Sequence, residues 1–399
     1  HSVQRPHIPI CDNAVAEAFD IPVSEIANAG DIVLVGCNIR HEMPLLHQRI
    51  HQAVKRGARV HAINPVDFDF SFSTATKAIV PPSQLASRLK AFGDALTADT
   101  GSVVVLGEIA ENHGNASHIR AVATALRQAG KIKLCRLPQG ANAIGLAGLG
   151  VLPEAGGKHA DAMLDGSMKS FLLFGIEPQF DFSATTRASM ALHTAKVVSC
   201  TAFVTEALKE VADVILPIGL LPEIQASLVN VNGSQQISEA AGNLPGSAQS
   251  GWRVLRALYD RAGLTDPEFT DIDGLRAGMR ITAARSGTGL SAEITHGSGF
   301  ERISSSPIYR VDAVTRRAPA LQSHPLTSGA RAVMHPETAR KAALLEGQMA
   351  RIGDGSGSAT LPVTLSTKVA ESCVWVETGY PATAPLSQTV PLAITRAAP

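Results

Sequence analysis

The feature that most constrains the fold is a strand–helix–strand pattern near the beginning of the sequence. An apolar run, Ile32–Val35, stops at Gly36 and is followed by an amphipathic segment. A second mostly apolar run, Val60–Ile63, ends at Asn64 and Pro65. This pattern is typical of two parallel strands joined by a crossover helix, a unit that often holds a ligand at the strand tips.

Similar apolar runs recur and alternate with predicted helices along most of the chain. Strands that alternate with helices indicate an α/β fold with parallel sheets. Nearly continuous apolar strands also fit sheets that are covered on both faces. The further runs are Val103–Leu106, Ile132–Leu134, Phe171–Phe174, Val197–Val198 and Val214–Leu216, and the predicted helices include Pro44–Arg56, Ser83–Leu96, Ala116–Ala129 and Ala184–His193.

The recurring pattern and a change after Leu220 suggest four parts. A new α/β run begins near Lys169, so we divide the α/β part into a first lobe, residues 1–168, and a second lobe, residues 169–285. Asn232-Gly233 between apolar runs predicts a hairpin, and Gly251–Ala262 predicts a last helix. Residues 286–320 are rich in Ser, Gly, Pro and Arg and are predicted to be a linker arm. Residues 321–399 are predicted to form a small β-barrel, with one helix at Pro336–Leu344 and short strands at Met349–Ile352, Ala359–Leu365 and Cys373–Glu377.

Composition excludes several classes of function. Lys+Arg and Asp+Glu are both 35, and aromatic residues are only 4%, so nucleic acid is not an expected partner. No apolar run is long enough to insert into a membrane. The five cysteines form no CxxC pair, so we expect buried thiols in a reducing compartment. A chain that opens on His1 is expected to be a portion of a longer protein.

Short motifs for nucleotide, metal or nucleophilic chemistry are missing from the sequence. The first strand is followed by "GCNIRH", which lacks the GxGxxG spacing that a dinucleotide requires. His47 and His51 are four residues apart, but Gln48 stands where a zinc protease needs glutamate, and both imidazoles are expected on the wet flank of their helix. We therefore predict no metal site and no catalytic residue.

Three carboxylates follow predicted strands and are candidates for acid–base chemistry if they are buried in a crevice: Glu108, Glu177 and Glu223. The interpretation that we favour is a helix N-terminal charge or a loop hydrogen bond for each of them.

Three longer segments resemble the molybdopterin oxidoreductase superfamily. In "LPQGANAIGLAGLGVLPEAGG" the matching residues are Gly140, Ala141, Asn142, Gly145, Gly148 and Pro153. "LVGCNIRHEMPLL" resembles the strand–turn segment of that superfamily, with Cys37 in place of serine, and "PEIQASLVNVNGSQQ" resembles its cofactor-holding hairpin. The resemblance implies two α/β lobes of this type, followed by a β-barrel like the molybdopterin-dinucleotide-binding domain.

Finer features are similar to one branch of that superfamily, the large iron–sulfur subunit of bacterial NADH–quinone oxidoreductase, or respiratory complex I. They lie in "HQAVKRGARVHAINPVDFDF", "ADVILPIGLLPE" and "GFERISSSPIYRVDAVTRRAPALQ". The resemblance implies the C-terminal part of such a subunit, on the cytoplasmic side of the bacterial inner membrane. Its implied partners are the N-terminal domains of the same subunit, which would carry the iron–sulfur clusters, and the other peripheral-arm subunits. The alternatives are a fragment of a functional molybdopterin oxidoreductase of formate-dehydrogenase type and a free-standing binding module.

The resemblance also places a crevice at the strand tips. Its candidate residues are Gly36, Asn38, Asn64, Gly107, Asn142, Glu223 and Asn230. The hairpin departs from the family pattern, because Ala226 and Ser227 replace Gly-Thr and Asn232 and Ser234 replace Glu and Arg. Loss of a guanidinium removes a partner for phosphate or pterin, and loss of a glycine crowds the backbone. We therefore expect a vestigial crevice without a cofactor, in a part of the chain whose role is structural. Arg40 is one candidate to cap the crevice, by pairing with Glu42 or Glu177.

Overall fold

A five-stranded parallel sheet in the order β3-β2-β1-β4-β5 forms the first lobe. The computed structural model describes residues 16–97, 101–151, 157–264, 269–282, 299–353, 355, 357–386 and 391–397. Strands and helices alternate in this lobe: β1 Asp31–Val35, α1 Ile39–Glu42, α2 Pro44–Lys55, β2 Arg59–Asn64, β3 Thr76–Ile79, α3 Leu85–Asp94, β4 Val103–Leu106, α4 Glu108–Asn112, α5 Ala116–Gln128, β5 Lys133–Arg136, α6 Ala143–Gly148 and α7 Ala160–Met163.

Helices cover both faces of this sheet because successive side chains of each strand point to opposite sides. Val33 and Val35 of β1 belong to the core shared with α3 and α5. Ile32 and Leu34 belong to the core on the other face, shared with α2. All five residues of β1 are buried, as expected for a central strand of a doubly wound sheet.

A three-stranded parallel sheet, β6-β7-β8, forms the second lobe. One face packs on helices through Leu173, Val197 and Leu192, whereas Leu172 and Phe174 on the opposite face are exposed. A hairpin and two helices follow this sheet. The elements are β6 Ser170–Phe174, α8 Pro178–Asp181, α9 Thr185–His193, β7 Lys196–Thr201, α10 Glu206–Val211, β8 Val214–Pro217, β9 Ala226–Val229, β10 Gln235–Ser238, α11 Gly251–Arg261 and α12 Ile272–Gly278.

A curled six-stranded sheet, in the order β11-β15-β12-β14-β13-β16, forms the C-terminal part. Its two edges meet at a bridge between Phe300 and Leu392, which makes the sheet a partly closed barrel. Its elements are β11 Glu301–Ile303, α13 Pro319–Gln322, β12 Ala332–Met334, α14 Pro336–Lys341, β13 Met349–Gly353, β14 Ser358–Leu365, β15 Cys373–Trp375 and β16 Ala393–Arg396. The predicted fold class, parallel α/β lobes followed by a small barrel, is confirmed. The domain boundaries stay a prediction, and residues 286–298 of the arm lie outside the described residues.

Two local expectations can be compared with individual residues. The expectation that His47 faces solvent is wrong, because its ring is buried against Phe72 at a centroid distance of 5.0 Å. Cys37, Cys135, Cys200 and Cys373 are buried, as expected, whereas Cys11 and Pro153 lie outside the described residues. Within those ranges, no helix combines the length and the apolar character needed to cross a membrane.

Candidate cofactor crevice

The crevice opens at the carboxyl ends of the first-lobe strands, where the strand order reverses between β1 and β4. Such a reversal separates the two adjoining loops and leaves space between them for a ligand. The cavity there has a volume of about 700 Å³. All four parts of the chain contribute to its walls, and representative residues are Glu42, Glu108, Phe180, Asn230, Arg310 and Thr378.

The glycines at the strand tips lack a side chain and so allow neighbouring strand tips to pack closely against each other. A Cβ on Gly36, whose φ is +53°, would lie 2.5 Å from the backbone nitrogen of Ala110. A Cβ on Gly107 would lie 2.5 Å from the Cα of Cys37. Asn64 completes the contact, because its Oδ1 accepts a hydrogen bond of 2.7 Å from the Cys37 N–H. These three candidates therefore stabilise the turns themselves.

We expect Gly107→Ala to destabilise the protein by about 1–3 kcal/mol, since the added methyl group would overlap backbone that has no room to move. Gly278→Ala is the control, because its Cβ would meet nothing within 4 Å and its φ is not left-handed. That change should cost less than about 0.5 kcal/mol, or stabilise the helix. Chemical unfolding of both variants measures the difference. Equal unfolding midpoints would contradict the packing role of Gly107.

The other four candidates do not lie together in one place. Asn38 reaches a second, smaller cavity of about 170 Å³ beside the crevice. Asn142 stands at the N-cap position of α6, but its Oδ1 accepts a hydrogen bond of 2.8 Å from the Val229 N–H of the hairpin. Asn230 lines the crevice, but its Oδ1 accepts N–H groups of the hairpin turn. Glu223 lies apart and accepts a hydrogen bond of 2.8 Å from the Leu220 N–H.

A chain of hydrogen bonds through two half-buried carboxyl groups joins the first lobe to the arm. Glu42 accepts the N–H of Asn38 at 2.6 Å and the N–H of Glu108 at 2.7 Å. Glu108 in turn accepts the hydroxyl of Ser306 at 2.7 Å and its N–H at 3.0 Å. Ser306 also lies 3.2 Å from the Thr378 hydroxyl of the barrel. The chain therefore connects first lobe, arm and barrel.

Burial changes the charge state of these acids. It raises the pKa of Glu42 to about 8, and the neighbouring Glu108 adds to the effect. Burial also raises the pKa of Glu108, although the hydrogen bonds from Ser306 oppose it. Glu377, which lines the smaller cavity with both of them, has its pKa raised by burial to about 7. Glu42 is therefore largely uncharged near neutral pH, whereas Glu377 is about half ionised.

Arginines of the arm clamp the second lobe at the other side of the crevice. Arg316 donates from Nη2 to Glu177 at 2.7 Å and to Asp181 at 3.0 Å. Its Nη1 donates to the carbonyl oxygen of Arg310 at 3.2 Å, and its guanidinium lies 4.9 Å from the ring of Phe180. Arg317 also donates to Glu177. Burial alone would raise the pKa of Glu177, but the two arginines hold it below its ordinary value.

The two arginines on the crevice wall already donate hydrogen bonds within the chain, which leaves fewer donors for an anionic pterin dinucleotide. A pyrophosphate needs backbone N–H groups and at least one available cation. Arg316 is held by carboxylates, and Arg310 donates to the carbonyl of Gly379 at 2.7 Å and to the side chain of Gln322. The wall also carries Glu42 and Glu108, which would oppose an anion once ionised.

Each of the three strand-tip carboxylates has an internal partner. Glu108 binds the arm, Glu177 pairs with Arg316, and Glu223 accepts a backbone N–H. Glu108 begins α4 and Glu177 occupies the N-cap position of α8, in line with the interpretation as helix N-terminal charges. The ion pair of Glu177 with Arg316 was not predicted. The pairing expected for Arg40 is wrong, because its Nη1 reaches the carbonyl oxygen of Asp69 at 3.5 Å. In the described ranges, no three His, Cys, Asp or Glu side chains are grouped so that they could hold a metal ion.

Sequence reasoning missed the arm as a wall of the crevice and named Glu42 only as a partner for Arg40. Glu42 follows Arg40 and His41 in a segment that looks like a solvated helix face, so nothing in the sequence marks it as buried. The arm has the composition of a linker because it is rich in small and charged residues. Its one available signal is the pair of adjacent cations Arg316-Arg317, since arginines readily pair with carboxylates.

Comparisons with known proteins agree with this architecture. The family model for "Molybdopterin oxidoreductase" matches residues 10–261. Over 70 residues the chain is 36% identical to the mitochondrial NADH-ubiquinone oxidoreductase 78 kDa subunit of Neurospora crassa, a match that covers 18% of this chain and only 9% of that subunit. Acetylene hydratase from Pelobacter acetylenicus has a similar structure, with a TM-score of 0.64 and 11% identity over 94% of this chain and 81% of that chain. At that identity the likeness shows the fold alone.

Proposed function

The chain belongs to the molybdopterin oxidoreductase family, and we propose that its crevice no longer holds the family cofactor and that it is a structural member of the family. It acts within the large iron–sulfur subunit of a bacterial NADH–quinone oxidoreductase. Electron transfer from NADH to quinone is the activity of the whole complex. The described residues serve as a scaffold, and none of them carries out chemistry. The segment that is 36% identical to the 78 kDa subunit supports this assignment.

The scaffold role is supported mainly by one observation: side chains of the crevice connect the parts of the chain to one another. Glu42 and Glu108 tie the first lobe to the arm. Arg316 ties the arm to Glu177 of the second lobe through side chains that are 5% and 3% exposed. A cofactor-binding member would need such groups for its ligand. Here they hold the lobes, arm and barrel together.

The remaining parts of the proposal follow from this role. The iron–sulfur clusters are carried by N-terminal domains of the same subunit, and the scaffold positions and shields them. The other partners are further peripheral-arm subunits, so the protein lies on the cytoplasmic side of the inner membrane as part of a membrane-attached complex. The alternative, a functional enzyme of formate-dehydrogenase type, needs a cofactor that these crevice residues do not accommodate.

Elemental analysis of the intact subunit, purified from its native membranes, tests the proposal. We expect iron and acid-labile sulfide without stoichiometric molybdenum or tungsten, together with co-purification of NADH-oxidising activity. A molybdenum enzyme produced in the same cells is the control that the metal is available. One molybdenum or tungsten atom for each chain would contradict the scaffold role.

A further inference from the structure

The smaller cavity beside the crevice lies at the joint between the first lobe, the arm and the barrel. Its volume is about 170 Å³, which is well above the roughly 10–15 Å³ that one water molecule needs and below the roughly 300–1,000 Å³ of drug-sized sites. Asn38 and His41 line it from the first lobe, Ile308 from the arm, and Arg331 and Glu377 from the barrel. The cavity is therefore large enough for a molecule of a few heavy atoms.

The strand register of the barrel explains how opposite charges come to line this cavity. β12 and β15 pair in antiparallel fashion, with Val333 opposite Trp375. Continuing this register by two residues would set Arg331 opposite Glu377, on the same face of the sheet as Trp375. The pairing ends at Val333, and Arg331, Trp375 and Glu377 all line the cavity. The barrel therefore presents a cation and an acid on either side of an open space.

These two charged groups lack partners in the part of the chain that the structure describes. Among those residues, none donates a hydrogen bond to the Glu377 carboxyl group or accepts one from the Arg331 guanidinium, and the two groups form no ion pair with each other. Both side chains are half-buried. Burial raises the pKa of Glu377 to about 7, and Arg331 opposes only part of that rise. Taking a charged group out of water without a partner costs free energy, and a ligand with matching charges would offset that cost.

The remaining groups on the wall define the charge of such a ligand. Glu42 and Glu108 add two carboxyl groups from the first lobe, which would oppose a simple anion when they are ionised. The guanidinium of Arg331 would oppose a simple cation. His41 adds a neutral imidazole, because burial lowers its pKa, and the ring of Trp375 adds an apolar surface. A molecule with one positive and one negative group therefore matches this wall better than either ion alone.

We propose that this cavity binds a small zwitterion, a molecule with an ammonium group and a carboxylate group, such as a free α-amino acid. The carboxylate pairs with the guanidinium of Arg331, and the ammonium group pairs with the carboxylate of Glu377. The carbon atoms between them lie against Trp375. The bound molecule supplies the ionic contacts that β12 and β15 leave open. This site does not depend on the proposed scaffold role or on the loss of the family cofactor from the larger crevice.

Three probes of similar size separate the two charges. Glycine carries both charges, methylamine only the positive one, and acetate only the negative one. Binding to the intact subunit labelled with 5-fluorotryptophan is followed by ¹⁹F NMR at about pH 8, where Glu377 is mostly ionised. The resonance of Trp375 is assigned with Trp375→Phe and that of Trp252 with Trp252→Phe.

We expect glycine to shift the Trp375 resonance with a dissociation constant below about 10 mM, without moving that of Trp252 in α11. Methylamine and acetate should bind at least about tenfold more weakly than glycine. The absence of a saturable glycine effect would leave the cavity to water and would overturn the inference. Equal affinities for glycine and either single-charge probe would also overturn it.

Substitutions show whether the two charges act as proposed. Arg331→Gln should weaken glycine binding at least about tenfold without weakening methylamine binding. Glu377→Gln should weaken glycine binding to a similar extent without weakening acetate binding. Arg351→Gln removes an exposed arginine of the same barrel and should leave glycine binding unchanged.

Circular dichroism establishes that the variants fold, and the comparison of three probes on the unmodified protein decides the matter if one of them does not. Glycine binding of unchanged affinity in folded Arg331→Gln or Glu377→Gln would overturn the inference. Neither result bears on the metal content that tests the scaffold role, so the two proposals can fail separately.

Discussion

Replacing Arg316 by alanine is expected to release the arm from the second lobe and to lower the stability of that contact by about 3–5 kcal/mol. The guanidinium of Arg316 is 5% exposed, and its partners Glu177 and Asp181 are 3% and 11% exposed. Truncation would leave two carboxylates in a buried place with only Arg317 to offset them. The large cost comes from these uncompensated charges and less from the contact that is lost.

Hydrogen exchange measures this effect locally, which suits a chain whose several parts need not unfold together. Backbone amides of the arm, such as Arg310 N–H bonded to Pro307 and Ala318 N–H bonded to Thr315, report its opening. A loss of about 3 kcal/mol corresponds to about a hundredfold faster exchange where opening is the limiting event. Amides in the first-lobe sheet should keep their protection. Exchange in the arm that stays within about threefold of the unmodified protein would contradict the clamp.

Two matched variants separate charge from packing. Arg317→Ala should cost no more than about 1 kcal/mol, since its side chain is 33% exposed and water screens the pair. The triple change Arg316→Met, Glu177→Gln and Asp181→Asn removes the charges together and should recover much of the stability lost in Arg316→Ala. A triple variant as unstable as Arg316→Ala would show that shape and hydrogen bonding, and not charge, dominate the clamp.

The regular elements of this fold could be predicted where burial fixes the sequence pattern. The run Val103–Leu106 coincides with β4, and the helix expected at Pro44–Arg56 is found at Pro44–Lys55. Sequence reasoning missed β3, Thr76–Ile79, because it is an edge strand with two exposed and two half-buried residues, so its sequence carries no apolar run. Edge strands need not satisfy two buried faces, and their pattern is correspondingly weak.

The barrel shows a second limit of sequence reasoning. β11, Glu301–Ile303, lies in the segment whose composition predicts a linker, and only pairing with β15 defines it. Arg302 in this strand is buried and donates to the carbonyl oxygen of Leu386 at 2.9 Å. A buried arginine with a distant carbonyl partner cannot be distinguished from a solvated one in a sequence. The structure of this strand is therefore determined by contacts with residues that are far away in the sequence.

The crevice, too, could be predicted only in part. Its position followed from the strand tips and from the resemblance, because parallel strands in a doubly wound sheet place their carboxyl ends at one edge. Its electrostatics did not follow, since they depend on which carboxylate meets which arginine across more than a hundred residues. Arg316 and Glu177 are 139 positions apart. Burial of Glu42 likewise results from three parts of the chain that meet only in the folded protein.

The buried acids at the joint between first lobe and barrel predict a stability that falls as the pH rises. A carboxyl group whose pKa is raised by folding binds more protons in the folded state than in the unfolded state. Its favourable contribution is therefore complete below the ordinary value of 4.5 and is lost as the pH passes through the folded-state value, which is about 8 for Glu42. Glu377, with a pKa raised to about 7, and Glu108 act in the same direction.

The other groups around the joint define the window in which this effect can be measured. His41 lines the smaller cavity, and burial lowers its pKa below 6.5, so its protonation destabilises the folded state only in more acidic solution. Burial raises the pKa of Cys37 well above 9.0, so its thiol stays neutral. The guanidinium of Arg331 opposes part of the rise in the pKa of Glu377. Between about pH 6.5 and 8.5 the acids therefore dominate.

Glu42→Gln is expected to flatten this dependence, because the amide cannot ionise and still accepts one of the two N–H groups that Glu42 binds. The unmodified protein should lose stability across the window with a slope of up to about 1.4 kcal/mol per pH unit for each group. The variant should be roughly 1 kcal/mol less stable at about pH 6.5, where one hydrogen bond is missing, and at least as stable at the alkaline end of the window.

Unfolding midpoints in urea at closely spaced pH values measure both curves, with Glu25→Gln as the control because Glu25 is exposed on the same lobe. That control should reproduce the slope of the unmodified protein. If Glu42→Gln and the unmodified protein had parallel curves across the window, Glu42 would be ionised in the folded state. Its two N–H partners would then outweigh its burial, and the joint between first lobe, arm and barrel would be held by a carboxylate.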